Sequence, residues 1–287
     1  MPRQVAVRTE THVNARNGLR LPALDGAMAL RSQATAIVVL LYTVAIGGAE
    51  VVALVGGVAA GTVCDAVLLG ILWTHHVVAS RGAARSLTPS QPLPRALLAL
   101  ALLPLLRMLS VTMPVRLLPQ ISWYALIGVP LLLGVVITAR VLDLSAFRLG
   151  LRVQGWWPWQ PLIALSGLPL AVIALALMRP QPLIARTDVG VGPVLVSALI
   201  LLIFVGFTEE LVFRGVLQHV AVDVFGRAGL VWSSALFAFM YLGSLSPSYV
   251  LFMLLVGLFF AWCVDRTGSL WGVAVAHGVF VILVLLI

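Results

Sequence analysis

Residues 207–215 read FTEELVFRG, a stretch that puts two adjacent carboxylates and an arginine inside one of the most apolar parts of the chain. The apolar run around it extends from Pro193 to about Val224. The sequence contains only four glutamates, and two of them, Glu209 and Glu210, stand side by side where burial is costly. Ionisable side chains inside membrane spans are rare and commonly functional. This stretch is therefore the candidate functional centre.

The overall composition is that of a membrane protein. Of the 287 residues, 61% are hydrophobic and 10% are charged, whereas soluble domains average about 25% charged residues. Divided into spans of roughly 20 apolar residues, the sequence predicts an all-α, polytopic transmembrane helical bundle of about 8–10 spans. The net charge is +8, and every basic residue is an arginine, a usage typical of a GC-rich bacterial genome. Because the arginines lie mainly at segment ends, they indicate membrane orientation and not nucleic-acid binding.

The apolar runs divide the chain into three regions. Residues 1–33 are polar and arginine-rich, and we interpret them as a disordered cytoplasmic tail. Residues 34–189 contain the N-terminal transmembrane helices, which begin with a hairpin that turns at Gly56-Gly57. Residues 190–287 contain the last four apolar stretches and the two glutamates. The arginine distribution predicts a multi-pass protein of the plasma membrane with a cytoplasmic N-terminus.

Several further polar or proline-containing positions interrupt the N-terminal spans. Prolines divide residues 96–120, which form either a kinked span or an interfacial segment. Glu50 and Asp65 flank the predicted hairpin turn, so we expect both near the external interface. His75 and His76 lie near the opposite end of their span, where solvation at the interface is favoured over a metal or proton site.

The spacing of the charged residues assigns different roles to the two glutamates. On a helix, Glu210 and Arg214 are i,i+4 neighbours and can form an ion pair. Glu209 lies roughly 140° around the helix axis from Arg214, since each residue turns the helix by about 100°. The arginine therefore serves Glu210, and Glu209 stays free to face a cavity as a general base.

A carboxylate base needs hydrogen-bond donors that hold the polarised carbonyl group. His277 lies in the last apolar stretch, and Tyr241 ends the sequence FAFMY at residues 237–241. Both side chains come from helices that follow the Glu209 stretch. We predict that both donate hydrogen bonds inward, toward the same cavity as Glu209.

The sequence EELVFRG resembles the EExxxR signature of the CPBP family, the CAAX-protease and bacteriocin-processing (Abi) intramembrane endopeptidases. The FxxxH motif of that family aligns with Phe237 to Tyr241, and its HxxxN motif aligns with His277 to Val281. The resemblance covers roughly residues 190–287, which would then be a CPBP-like catalytic core. It implies peptide-bond hydrolysis by a glutamate-activated water. The site residues that it implies are Glu209, Glu210, Arg214, Tyr241 and His277.

The resemblance also carries expectations about partners and cofactors. It implies contact with membrane lipids and a peptide or protein substrate that is membrane-embedded or prenylated. In some accounts of the family a divalent metal such as zinc is held by glutamate and histidine. Here Tyr241 replaces a histidine and is a poor zinc ligand, which disfavours the zinc site that the resemblance allows; no other cofactor is indicated. Val281 replaces the asparagine expected to help bind the oxyanion.

Two other functions remain open on the sequence. The substitutions at Tyr241 and Val281 suit a catalytically weakened CPBP homologue that acts as a membrane immunity or scaffold protein. A small transporter is the third hypothesis, because buried charges also line substrate paths. No pair of interrupted helices in corresponding halves of the chain supports that hypothesis.

Overall fold

The computed structural model describes residues 22–84, 92–111, 120–152, 158–178 and 190–286. Within these ranges the chain forms helices joined by short turns, without a strand. The helices are α1 Pro22–Gly56, α2 Val58–Ala84, α3 Pro92–Leu100, α4 Leu102–Val111, α5 Gln120–Val141, α6 Trp159–Leu165, α7 Gly167–Met178, α8 Val191–Phe225, α9 Ala228–Phe239, α10 Pro247–Thr267 and α11 Trp271–Leu286.

Seven helical segments of the described chain are long and apolar enough to cross a membrane. In two of these segments a pair of helices, α3 with α4 and α6 with α7, forms one span. Two shorter apolar helical segments, Ala228–Ser244 and Trp271–Leu286, complete the bundle. The protein is therefore an all-α multi-pass membrane protein, as its composition predicts.

The start of α1 differs from the predicted disordered tail. The helix begins at Pro22, well before the first apolar span, so the described end of the region 1–33 is helical. Proline is favoured in the first turn of a helix, and the following segment is rich in alanine and leucine, which are strong helix formers. Residues 1–21 lie outside the described ranges, and so does most of the predicted tail.

Helices α1 and α2 form the predicted hairpin. Gly57 separates them with a φ of 87°, a conformation that glycine adopts without steric cost. A Cβ atom on Gly61 would lie 2.9 Å from Cα of Ala53, so the two helices approach closely just beyond the turn. Most of the hairpin surface remains apolar and unburied, which suits contact with lipid.

The proline-containing region after residue 92 has the largest share of buried residues among the long spans. It is a kinked span, since α3 ends at Leu100 and α4 resumes at Leu102, with Pro104 in the first turn of α4. In its apolar window 61% of the residues are buried, against 22% and 17% in the windows of α1 and α2. The kinked span therefore lies between the N-terminal hairpin and the C-terminal helices.

Helix α8 carries the two glutamates and contains two stretches of wider π-helical turns. These stretches, Leu202–Phe207 and Leu211–Leu217, flank a short α-helical segment at Thr208–Glu210. The hydroxyl of Thr208 donates to the carbonyl oxygen of Ile203, five residues earlier, at 2.9 Å. π-Helical turns are rare and often occur at functional sites. Here they bracket the glutamates on both sides.

Candidate functional site

Glu210 and Arg214 form a buried ion pair on α8. Arg214 Nη1 donates to Glu210 Oε1 at 2.7 Å, and the two side chains are 2% and 0% exposed. The second guanidinium nitrogen, Nη2, donates to the carbonyl oxygen of Gly257 on α10 at 3.3 Å. The predicted i,i+4 pair is therefore confirmed, and it also ties α8 to α10.

His277 contacts the same carboxylate oxygen as Arg214. Its Nδ1 lies 2.8 Å from Glu210 Oε1, and the imidazole is 1% exposed. Because a carboxylate only accepts hydrogen bonds, Nδ1 is the donor. His277 is not among the described residues that line a cavity with Glu209. His277 joins Glu210 and Arg214 in one buried cluster, hereafter the Glu210 cluster.

The close crossing of α8 and α11 explains this position of His277. Gly206 lies one helical turn before Glu210, and Gly278 directly follows His277. A Cβ atom on Gly206 would lie 2.6 Å from Cα of Gly278, so the two backbones touch. Glycine pairs of this kind let membrane helices approach closely. At this separation the imidazole reaches across to Glu210.

Replacing Gly206 with alanine is expected to separate the two helices. The added methyl group meets backbone atoms of α11, which cannot move away alone, so we expect a loss of about 1–3 kcal/mol in unfolding free energy. The measurement is thermal unfolding in detergent micelles. Gly70→Ala is the matched control, because a Cβ atom there has no neighbour within 4 Å. Equal stability of Gly206→Ala and Gly70→Ala would contradict the close crossing.

Aromatic rings enclose the Glu210 cluster. The guanidinium carbon of Arg214 lies 4.4 Å from the ring centroid of Phe237 and 5.5 Å from that of Phe260. The ring of Phe237 also meets the imidazole of His277, at 5.8 Å between centroids. Cation–π contacts strengthen when the cation is shielded from water. Phe237, the first residue of the FxxxH-like motif, therefore packs against both side chains that donate to Glu210.

Glu209 points to a different environment from Glu210. It is half-buried and lines a cavity of about 290 Å³ between α4, α5 and α8. Among the described residues it has no hydrogen bond and no ion pair, as the helix geometry predicts. The other residues that line this cavity, hereafter the Glu209 cavity, are Leu106, Ser110, Val111, Trp123, Tyr124, Ile127, Leu131, Phe204 and Val205.

Tyr241 lies in an aromatic group with Phe237 and Tyr249. It is half-buried, and its ring packs edge-on against Phe237 at 5.3 Å and Tyr249 at 5.8 Å. Glu209 is close enough to interact electrostatically with His277, Glu210 and Arg214, as well as with Tyr241, Tyr249 and Tyr124. Within the described chain, however, neither Tyr241 nor His277 is part of the cavity wall. The predicted convergence of three site residues on one cavity is therefore not observed.

The sequence interpretation missed the wall that α4 and α5 contribute. Ser110, Trp123 and Tyr124 come from two N-terminal spans that the sequence identifies only as membrane segments. A signal was present, since the sequence QISWY places polar and amphipathic side chains at the start of an apolar run. In a membrane protein this pattern also marks a lipid interface, so sequence alone does not separate the two.

The described residues do not fit a divalent metal at Glu209. No group of three histidine, cysteine, aspartate or glutamate side chains lies close enough together to hold a metal in the described chain. Oε1 of Glu210 accepts from both Arg214 and His277, whereas Oε2 of Glu210 and Nε2 of His277 are buried without a described partner. Tyr241 stands where the resemblance has a histidine. The described residues around Glu209 therefore provide no set of three metal ligands.

A second charged group lies where the sequence predicted interfacial side chains. Glu50 is 2% exposed, and its Oε2 is 2.7 Å from Nη2 of Arg107 on α4. Asp65 is 4% exposed and interacts electrostatically with the same arginine. Both carboxylates are therefore buried within the protein, at whatever depth in the membrane they lie. Arg107, from the kinked span, supplies the compensating charge that the hairpin sequence lacks.

The two histidines of α2 bind nearby helices. His75 Nδ1 is 2.9 Å from the hydroxyl of Tyr42 on α1, and His76 Nδ1 is 2.8 Å from the carbonyl oxygen of Pro94 on α3. Both contacts join neighbouring helices.

Comparison with known proteins finds one match. Residues 191–283 match the family model described as Rce1-like, type II CAAX prenyl endopeptidase. No curated protein and no solved structure matches the chain. The matched segment contains α8 to α11 and therefore the whole Glu210 cluster together with Glu209 and Tyr241. Residues 191–283 are thus similar to this family model, which confirms the resemblance to the CPBP family that the EExxxR-like motif predicts.

Proposed function

We propose that the protein hydrolyses a peptide bond within the membrane, with Glu209 as the general base. One observation carries this proposal: the two adjacent glutamates have different surroundings. Glu210 accepts from Arg214 and His277 inside a closed aromatic environment, whereas Glu209 lines a cavity and has no described partner. A base must be free to accept a proton and close to open space for water and substrate.

The proposed reaction uses the chain's own carboxylate and needs no other reagent than water. The Glu209 carboxylate takes a proton from a water molecule while the water oxygen attacks the carbonyl carbon of the substrate peptide. The carbon–nitrogen bond of the tetrahedral intermediate then breaks. Glu209 returns the proton to the leaving amine, which leaves a free carboxyl group on the other product. The same residue thus serves as base and then as acid.

The Glu210 cluster has a supporting role in this mechanism. Its contacts fix the short helical segment at Thr208–Glu210 against α10 and α11. Glu209 is the neighbouring residue, so its direction depends on that anchoring. Correct placement of a catalytic group accounts for a large share of catalysis, because small displacements reduce the rate strongly. Arg214 and His277 therefore act as positioning residues.

The proposed substrate is a peptide or protein that is prenylated or embedded in the membrane. The family match supports this class, and the position of Glu209 within a membrane-spanning helix requires a substrate that reaches membrane depth. We further propose that the protein resides in the plasma membrane with its N-terminus in the cytoplasm, as the arginine distribution indicates.

The test is cleavage by the purified protein in detergent micelles. Three peptides are compared: a prenylated CAAX peptide, the same peptide without the prenyl group, and a transmembrane peptide. Products are identified by mass spectrometry. We expect cleavage of the prenylated or the transmembrane peptide and none in the Glu209→Gln variant. Failure to cleave any membrane-associated peptide, or equal cleavage by Glu209→Gln, would contradict the proposal.

A second candidate function is that of a catalytically weakened homologue. The observation that favours it is the position of Val281, which is 7% exposed and provides no hydrogen-bond donor where the family motif has asparagine. If this candidate is correct, the wild type has no measurable activity and the double variant Tyr241→His, Val281→Asn gains it. The same cleavage assay decides, because efficient turnover by the wild type excludes the weakened homologue.

A further inference from the structure

The donors expected from α11 are not available to a carbonyl group in the Glu209 cavity. Val281 has an apolar side chain. His277 uses Nδ1–H for Glu210, and it is not among the residues that line the Glu209 cavity. The imidazole is also packed against the rings of Phe237 and Phe260. A hydrolase of this geometry therefore needs its carbonyl-polarising donor from another helix.

Trp123, which lines the Glu209 cavity, carries such a donor in its indole N–H. Trp123 is 6% exposed and lies on α5, across the cavity from α8. Its Nε1 is buried and has no hydrogen-bond partner among the described residues. Buried indole N–H groups usually have an acceptor, because leaving a buried donor unpaired is costly. An acceptor that enters with a ligand would complete this site.

The other polar residues of α4 and α5 in the cavity are less suited to this role. The hydroxyl proton of Ser110 is donated to the carbonyl oxygen of Leu106 at 2.7 Å. The hydroxyl of Tyr124 has no hydrogen bond among the described residues, but it is not fully buried, so water can satisfy it when the cavity is empty. Trp123 is therefore buried, has an N–H without a described acceptor, and lines the same cavity as Glu209.

We propose that Trp123 Nε1–H donates a hydrogen bond to the carbonyl oxygen of the bound peptide and to the oxyanion that forms from it. This inference rests on the proposed hydrolysis, and it assigns the missing oxyanion donor to α5, outside the matched residues 191–283. The remaining wall is mainly aliphatic, with Leu106, Ile127 and Leu131. The cavity therefore suits a peptide with an aliphatic side chain beside the bond that is cleaved.

The first test is kinetic and uses Trp123→Phe, which keeps an aromatic ring in the wall and removes the N–H. Removing one oxyanion donor lowers kcat by about 100- to 1,000-fold, and we expect a loss of about 100-fold with KM nearly unchanged. Trp262→Phe is the matched control, since Trp262 is 53% exposed on α10. A variant Trp123→Phe with wild-type kcat would overturn the proposal while leaving Glu209 as the base.

The second test does not depend on catalysis. Indole N–H signals are recorded by proton–nitrogen NMR in micelles, and the Trp123 signal is the one absent from the Trp123→Phe spectrum. A peptide aldehyde with leucine next to the aldehyde is added to the wild type and to Glu209→Gln. We expect the Trp123 signal to shift in both proteins. An unshifted Trp123 signal would overturn the proposal. If the wild type cleaves no peptide, the hydrolase assignment fails, and the NMR result still decides whether Trp123 binds a carbonyl group.

Discussion

Glu209→Gln is expected to abolish peptide cleavage and to leave the stability of the fold unchanged. Glutamine has the shape of glutamate but cannot accept the proton from water, and general-base catalysis contributes about 100- to 10,000-fold. Glu209 makes no described hydrogen bond or ion pair, so we expect a change in unfolding free energy of no more than about 0.5 kcal/mol. The measurements are initial cleavage rates and thermal unfolding of the same preparations.

Glu210→Gln provides the contrast that makes the first experiment specific. This substitution removes the charge that Arg214 and His277 both contact, so it is expected to lower stability as well as activity. Glu10→Gln, in the N-terminal region, controls for the general effect of losing a carboxylate. The assignment of Glu209 as base would be wrong if Glu209→Gln cleaved peptides at the wild-type rate, or if it lost stability as Glu210→Gln does.

Arg214→Met is expected to produce the largest loss of stability. It leaves the fully buried Glu210 without its strongest partner, and breaking one side of a buried ion pair costs about 3–5 kcal/mol. The hydrogen bond to Gly257 and the ring contacts with Phe237 are also lost. Cleavage activity is expected to disappear with the anchoring of the Glu209 segment. The measurement is the free energy of unfolding in mixed micelles with increasing denaturing detergent.

A double variant separates the ion pair from simple loss of side-chain volume. In Arg214→Met with Glu210→Gln no unpaired buried carboxylate remains, so this protein is expected to be more stable than Arg214→Met alone. Arg266→Met is the control, since Arg266 is exposed near the end of α10. If Glu210→Gln lowered the unfolding free energy of the Arg214→Met protein by as much as it lowers that of the wild type, the two residues would not be coupled.

The sequence alone predicted the helical bundle because the features that determine it are local. Apolar runs of span length, together with the glycines near residue 57, were sufficient to predict the membrane helices and the α1–α2 hairpin. The pairing of Glu210 with Arg214 and the separate direction of Glu209 follow from positions on one helix, and both are observed. The helical start of α1 at Pro22 precedes the first apolar run, so the pattern of apolar spans does not reveal it.

Contacts between helices account for what the sequence did not predict. The partner of His277 depends on how closely α8 and α11 cross. Gly206 and Gly278 allow the close crossing, but their spacing in the sequence does not show that the two helices meet. The charge partner of Glu50 comes from Arg107, more than fifty residues away in the chain. Such pairings between distant segments are invisible to spacing rules, which relate only residues of one helix.

The sequence by itself thus determined the all-helical membrane fold, the resemblance of residues 191–283 to the CPBP family and the different directions of Glu209 and Glu210. The tertiary structure decided which side chains surround each carboxylate. It assigned His277 to Glu210, and it built the Glu209 cavity from α4 and α5 as well as α8. The physical reason is that the direction of a side chain along one helix follows from helical periodicity, whereas its partners depend on the packing of helices that are distant in the chain.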